Sequence, residues 1–170
     1  MKKIEVGILG ATGMVGQRFV SLLEHHPWFE VAWLAASERS AGKTYAEACN
    51  WRVRDPMPKA AGELSVHECK PGKAPQLVFS SLDSKVAGDV EKEFARTGHV
   101  VLSNSSNHRM DADVPLLIPE VNPDHLLLVR TQRKERGWKG MIITNPNCTT
   151  IGLVMVLAPL HKAFGLEQPA

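Results

Sequence analysis

Short apolar runs alternate along the chain with longer segments in which apolar positions recur every three or four residues. Ile4 to Leu9 has the length of a buried strand and ends in a glycine-rich turn. From Met14 to His25 the residues Val15, Phe19, Val20, Leu22 and Leu23 recur at helical spacing, and Pro27 marks the stop. Phe29 to Ala36 is a second strand-length run. Strand, helix and strand in this span make a βαβ unit, whose crossover should be right-handed.

Residues 50–75 are rich in Pro, Gly and Lys and weakly periodic, so an irregular excursion is expected there, with a short strand around Leu64 to His67. Gln76 to Ser80 reads as a third core strand. Asp83 to Thr97 reads as an amphipathic helix with Val86, Val90 and Phe94 on one face. Val100 to Leu102 is a fourth strand, Ser103 to Arg109 a polar loop, and Leu116 to Ile118 and Met141 to Thr144 are expected as further short strands. Thr149 to Phe164 is a strongly apolar helix, and Pro159 within it predicts a kink or break. Alternating strands and helices predict an α/β fold with a mostly parallel sheet.

Composition narrows the function classes. With 170 residues, 44% of them hydrophobic and 22% charged, the chain can bury a core, which argues against disorder and fibrous structure. A formal net charge of +2 gives no reason to expect nucleic acid. The one basic cluster, Arg130 to Lys139 with Arg133, Lys134 and Arg136, is broken by Glu135 and Gly137 and is expected to be a solvated face. Three widely spaced cysteines, Cys49, Cys69 and Cys148, do not form a disulfide framework and suit a reducing cytoplasm. None lies in a C-x-x-C pair, and nothing completes a ligand set around His67 and Cys69, so no metal is expected. Met1-Lys2-Lys3 leads straight into a strand rather than a signal sequence, and no apolar run is long enough to cross a bilayer. The expectation is a soluble cytoplasmic protein with no membrane partner.

Three motifs carry chemistry. Gly10-Ala11-Thr12-Gly13-Met14-Val15-Gly16 lies between a strand and a helix. Glycines there permit a tight turn and let backbone N–H groups approach a pyrophosphate at the helix N-terminus. The spacing is G-x-x-G-x-x-G, a variant of the dinucleotide fingerprint in the right structural context. At the end of the second strand, where an NAD enzyme usually places an acid for the ribose hydroxyls, stands Ala36-Ser37-Glu38-Arg39-Ser40. Two hydroxyls and a guanidinium suit the 2′-phosphate of NADP, provided Glu38 points away. The third motif, Asn145-Pro146-Asn147-Cys148-Thr149-Thr150, puts a thiol where the apolar helix begins. The helix dipole and its free N–H groups favour negative charge there and could also stabilise an oxyanion. Cys49 and Cys69 lack such surroundings and read as structural.

Together these motifs resemble aspartate-semialdehyde dehydrogenase. So do Ser103-Asn104-Ser105-Ser106-Asn107-His108-Arg109-Met110 and Ile118-Pro119-Glu120-Val121-Asn122-Pro123-Asp124-His125. Gln132-Arg133-Lys134 and Gly137-Trp138 make the chain look like the archaeal and fungal branch. The resemblance implies a Rossmann-like NAD(P)-binding domain over residues 1–147. Residues 148–170 would hold the nucleophile-bearing helix and the start of a truncated catalytic or dimerisation domain. It implies reversible, NADP-dependent reductive dephosphorylation of aspartyl 4-phosphate to aspartate 4-semialdehyde, within aspartate-family amino-acid biosynthesis. Cys148 would attack the acyl phosphate and form a thioester, with Arg109 and the weaker candidate Asn147 at the substrate. Gly10, Thr12, Gly13, Met14, Val15 and Gly16 would line the cofactor phosphates; Ser37, Arg39 and Ser40 the ribose end; Ser81, Leu82 and, more weakly, Asn104 the nicotinamide half. His108 is given no role. Family members are about twice this length, with the histidine base, a second substrate arginine and most of a homodimer or homotetramer interface in the later half. The isolated chain is therefore expected to bind NADP without turnover. N-acetylglutamyl-phosphate reductase usually has Gly before its cysteine, so Asn147 counts against it. Malonyl-CoA reductase, similar throughout its first half, stays open, as does a non-catalytic NADP-binding module.

Overall fold

The computed structural model describes residues 2–165. Six strands form one parallel sheet: β1 (Ile4–Leu9), β2 (Phe29–Ala36), β3 (Val66–Glu68), β4 (Leu77–Ser80), β5 (Val100–Ser103) and β6 (Met141–Thr144). Their order is β3-β2-β1-β4-β5-β6. This is the order of a doubly wound dinucleotide fold, and the chain reverses its direction of travel across the sheet between β1 and β4.

Parallel strands are covered on both faces, which explains why the strand sequences read as nearly continuous apolar runs. One core gathers Val6, Ile8, Val20, Leu34, Tyr45 and Val66; its helical cover comes from α1 (Met14–Leu23) and the one-turn α2 (Tyr45–Ala48). The excursion between β2 and β4 holds α2 and a second one-turn helix, α3 (Lys59–Gly62), and the expected strand there is β3. The other core gathers Leu9, Trp33, Val78, Phe94, Val101 and Ile142 under α4 (Ser84–Arg96). Asp83 starts α4 as its N-cap, its carboxylate accepting the Lys85 N–H at 2.9 Å.

Two expectations are corrected. Leu116 to Ile118 is not a strand: only Leu116 bridges Thr144, through bonds from Leu117 N to Thr144 O (2.9 Å) and Thr144 N to Pro115 O (2.8 Å). Pro115 can donate nothing to a ladder, which confines the pairing to this one position. The basic cluster lies on α5 (Leu128–Arg136) and the loop after it, and Arg136 is not simply solvated. It pairs with Asp111 and Asp113 and lies over the Trp138 ring, 4.8 Å from its centroid. Of the kink or break expected at Pro159, the break is absent: the last helix, α6 (Cys148–Phe164), continues through it. None of its residues is buried, so water can satisfy the Met155 carbonyl that the proline leaves without an N–H. The domain boundary expected at 147/148 falls between β6 and α6; residues 166–170 of the second segment lie outside the described residues.

Beside the bridge at Thr144, one side chain covers the rest of the outer edge of β6. Fully buried Gln132 on α5 donates from Nε2 to Ile142 O at 3.0 Å, and its Oε1 accepts the Ile142 N–H at 2.8 Å. It thereby makes the two bonds that a further strand would have made. Gln132→Leu keeps the apolar stem but leaves both Ile142 groups unpaired. We expect a loss of roughly 2–4 kcal/mol in urea unfolding; a change below about 0.5 kcal/mol would show that water takes over the bonds.

Candidate active site

The glycine turn is shaped by contacts that tolerate no side chain. Gly10 follows β1 with φ +76°, and a Cβ there would lie 2.8 Å from the Ser81 carbonyl oxygen. A Cβ on Gly16 would lie 2.3 Å from the Gly10 carbonyl oxygen and 2.7 Å from Ala11 Cα, so the first turn of α1 rests directly on the loop. Two buried side chains hold the loop from below. The Tyr45 hydroxyl donates to Ala11 O at 2.8 Å, and Gln17 Nε2 donates to Thr12 O at 2.9 Å. Gln17 is itself fixed by the Arg52 N–H, which donates to its Oε1 at 2.7 Å.

Because a peptide is planar, drawing the Ala11 carbonyl inward turns the Thr12 N–H outward. The Gly13 N–H closes instead onto Gly10 O at 3.0 Å. Gly13 caps α1 without a side-chain bond, so the N–H groups of Met14 and Val15 stay available to an anion.

Beside the turn lies a cavity of about 650 Å³ along the C-terminal edge of the sheet. Of the residues predicted for a cofactor, Gly10, Thr12, Gly13, Ser37, Arg39, Ser81 and Leu82 line it. Met14 and Val15 have exposed side chains lining a separate shallow depression with Arg18. Only their backbone could serve the turn. Ser40 lies outside the cavity wall, its N–H donating to Ser37 O at 2.9 Å. Ser81 ties β1 to β4: its hydroxyl donates to Leu9 O at 2.8 Å.

Sequence reasoning missed Cys69, Glu68 and Lys70 on this wall. Cys69 Sγ donates to Ala36 O at 3.4 Å, and burial pushes its thiol up. Lys70 pairs with Glu68 at 2.6 Å. Their signal was position alone, since residues ending a strand beside β2 must share its edge. Val86 and Val90, read as part of the apolar face of α4, also line the cavity, and Val86 is half exposed. They offer a flat apolar wall.

A second cluster lies at the ends of β5 and β6. Arg109 Nη2 donates to Asn104 O and its Nε to Asn145 O, each at 2.8 Å. Asn145 Nδ2 donates to Asn104 Oδ1 at 2.6 Å. Of the five guanidinium N–H donors, these bonds use two and leave Nη1 for a ligand. Asn145 was missed as the partner that fixes Arg109, although it stands inside the cysteine motif. Asn147 is the N-cap of α6: its Oδ1 accepts the Thr149 N–H at 2.9 Å and lies 3.8 Å from Cys148 Sγ. Cys148 opens the 17-residue α6 and is exposed. Cys49 is buried beneath the glycine turn with Tyr45. β6 stands three strand positions from β1, so the cluster and the turn lie on the order of 14 Å apart along one sheet edge. Among the described residues no group of His, Cys, Asp and Glu could hold a metal, and no helix is long and apolar enough to cross a membrane.

The family model described as semialdehyde dehydrogenase, NAD binding domain, matches residues 5–129. An aspartate-semialdehyde dehydrogenase of Archaeoglobus fulgidus is 52% identical over 159 residues, which are 93% of this chain and 46% of that protein. A crystal structure of aspartate semialdehyde dehydrogenase with NADP from Candida albicans has a TM-score of 0.88 at 45% identity, over 97% of this chain and 48% of that one. Aspartate semialdehyde dehydrogenase II complexed with ASA from Vibrio cholerae has a TM-score of 0.75 at 30% identity, over 98% and 49%. The chain thus spans about half the length of the curated relatives it matches.

Tyr45, the single tyrosine, makes the loop's foundation testable by pH. Burial above all, with the Cys49 side chain adding to it, pushes its hydroxyl far above the ordinary phenol range. The unfolded chain releases this proton near pH 10 while the folded chain keeps it. Stability from this group is therefore complete below about pH 10 and falls as pH rises further. Tyr45→Phe should lower the unfolding free energy measured in urea at pH 8 by about 1–3 kcal/mol for the unpaired Ala11 carbonyl. It should also flatten the decline between pH 9.5 and 11. Parallel declines in both proteins would contradict the assignment.

Proposed function

The chain belongs to the semialdehyde dehydrogenase NAD-binding-domain family, and from that premise we propose that it is the cofactor-binding portion of an NADP-dependent aspartate-semialdehyde dehydrogenase. The observation carrying this reading is the placement of two sites on one sheet edge. One is a glycine turn opening into a cavity; the other is an exposed thiol at a helix N-terminus beside a braced arginine. The NADP bound in the Candida relative and the ASA held by the Vibrio relative support cofactor and substrate class.

The residues fit a dinucleotide phosphate. Gly10 and Gly16 keep clear the space that a Cβ would fill, and the outward N–H groups of Thr12, Met14 and Val15 suit a pyrophosphate. Ser37 and Arg39 would take the 2′-phosphate from the cavity wall, which Glu38 shares, with Ser40 just outside it; Ser81, Leu82 and Asn104 would border the nicotinamide end. When bound, NADPH supplies the hydride that converts a thioester on Cys148 to the aldehyde. The chain's own part is the step before. Arg109 Nη1 holds the phosphate of aspartyl 4-phosphate. The sulfur of Cys148 forms a bond to the acyl carbon, and the C–O bond to phosphate breaks with its electron pair leaving on inorganic phosphate. The N–H groups opening α6, other than that of Thr149 which Asn147 takes, would face the oxyanion, and Asn147 orients the thiol. The base and the second substrate arginine belong, in this reading, to residues beyond this chain.

Residues 148–170 would then begin the catalytic or dimerisation domain of a longer homodimer or homotetramer. Exposed Leu153, Met155, Val156 and Phe164 on α6 support a covering partner or segment. A cytoplasmic setting agrees with three free thiols.

In the full-length protein, Cys148→Ala should reduce phosphate-dependent oxidation of aspartate semialdehyde by roughly a thousandfold or more, while NADP affinity stays within about twofold. Retention of a tenth of the activity would rule out the thioester route. In the 170-residue chain, NADP should quench tryptophan fluorescence in a saturable way while turnover is absent.

A further inference from the structure

We propose that His108 is a positioning residue: as an imidazolium joining α4 to Asp111, it sets the loop that presents Arg109 to the substrate phosphate. This rests on the reading of Arg109 given above. His108 is only 3% exposed. Its Nδ1 lies 2.9 Å from Asp111 Oδ2 and its Nε2 lies 3.2 Å from the Gly88 carbonyl oxygen. Both neighbours are acceptors only, and a neutral imidazole has one N–H. Only the doubly protonated ring makes both bonds; loss of the proton turns one into a contact between lone pairs.

The surroundings are built for that cation. Glu91, fully buried on α4, accepts the Ser103 hydroxyl at 2.7 Å through Oε1. Its Oε2 has no hydrogen-bond partner and lies 4.0 Å from His108 Nε2. Burial pushes the Glu91 carboxyl up, and the serine hydroxyls beside it and the charge on His108 oppose that rise. Burial would also raise Asp111, but bonds from Arg136 and His108 outweigh it and hold that carboxyl below its usual range. Arg136 on α5 pairs in turn with Asp113. The remaining charged groups about the ring are Lys85, Asp89 and Lys92, on the outer face of α4 at the mouth of a polar depression containing His108 and Asp111.

The anchor acts on the site through the chain. Ser103 Oγ, held by Glu91, accepts the Ser105 N–H at 3.0 Å, and Ser105 bonds Asn107, whose Nδ2 donates to Ser84 O at 2.9 Å. Residues 103–108 are thus pinned to α4 at three places, and Arg109 comes next. Its guanidinium must span the Asn104 and Asn145 carbonyls, so a shift of the loop moves the phosphate ligand directly. A misplacement of about 1 Å is enough to cost a reaction heavily.

Two experiments test this. In the unmutated 170-residue chain, nitrogen NMR of His108 at pH 7 should show two protonated ring nitrogens; a neutral tautomer overturns the proposal. In the full-length enzyme, His108→Ala should raise KM for inorganic phosphate about tenfold, with kcat within about threefold and KM for NADP unchanged. Unchanged phosphate KM, or equal rises for phosphate and NADP, overturns the proposal. Arg109→Ala separates the two layers. If it leaves phosphate saturation intact, the phosphate reading falls and this proposal with it. If Arg109→Ala abolishes saturation while His108→Ala does nothing, only the proposal falls.

Discussion

The approach of α1 to the glycine turn constrains the rest of the molecule. With the Gly10 carbonyl so close to Gly16 that no methyl group could stand between them, the helix starts immediately over the end of β1. Its uncapped N–H groups then face the space at the carboxyl ends of the strands rather than the core. Tyr45 and Gln17 support this from beneath by taking the Ala11 and Thr12 carbonyls. The excursion after β2, irregular in sequence, is therefore not idle. It returns α2 and Asn50 under the turn and supplies the floor on which an anion site can rest.

Parallel topology does the remaining positioning. Every strand points the same way, so every connection that follows a strand emerges on one edge, and residues far apart in sequence meet there. Ser81 after β4, Asn104 after β5 and Cys148 after β6 share that edge for this reason, without any sequence proximity. Arg109 then fastens two of these connections through their main-chain carbonyls. Its role as a brace and its proposed role toward phosphate use different nitrogens of one planar group.

Much of this was legible in the residues. Runs such as Val6 to Leu9 and Val78 to Ser80 are apolar on both faces, and that pattern suits only a doubly covered sheet. The glycine motif and the cysteine motif each stood at a strand–helix junction, as found. What the pattern concealed was tertiary. Leu116 to Ile118 has strand composition, but Pro115 and a single bridge to Thr144 limit it. The residues of α5 looked like a charged surface run, because only Val129 and Gln132 of that helix turn inward. His108 looked incidental, since nothing local signals that Glu91, Gly88 and Asp111 converge on it. Cys69 and Lys70 reach the cavity only because β3 pairs with β2.

The single glutamine at the margin of β6 has a consequence beyond its local bonds. Sheet margins with free N–H and C=O groups invite strands from other chains, and a short, apolar, flat segment such as Met141–Thr144 is the kind that recruits them. Gln132 occupies the Ile142 groups and the Pro115–Leu117 segment occupies those of Thr144, so the outward-facing bonds of both residues are already made. A neutral side chain and a short backbone bridge here provide the protection that other folds draw from charged edge residues or barrel closure, so Ile142 and Thr144 offer no open ladder bonds to another chain.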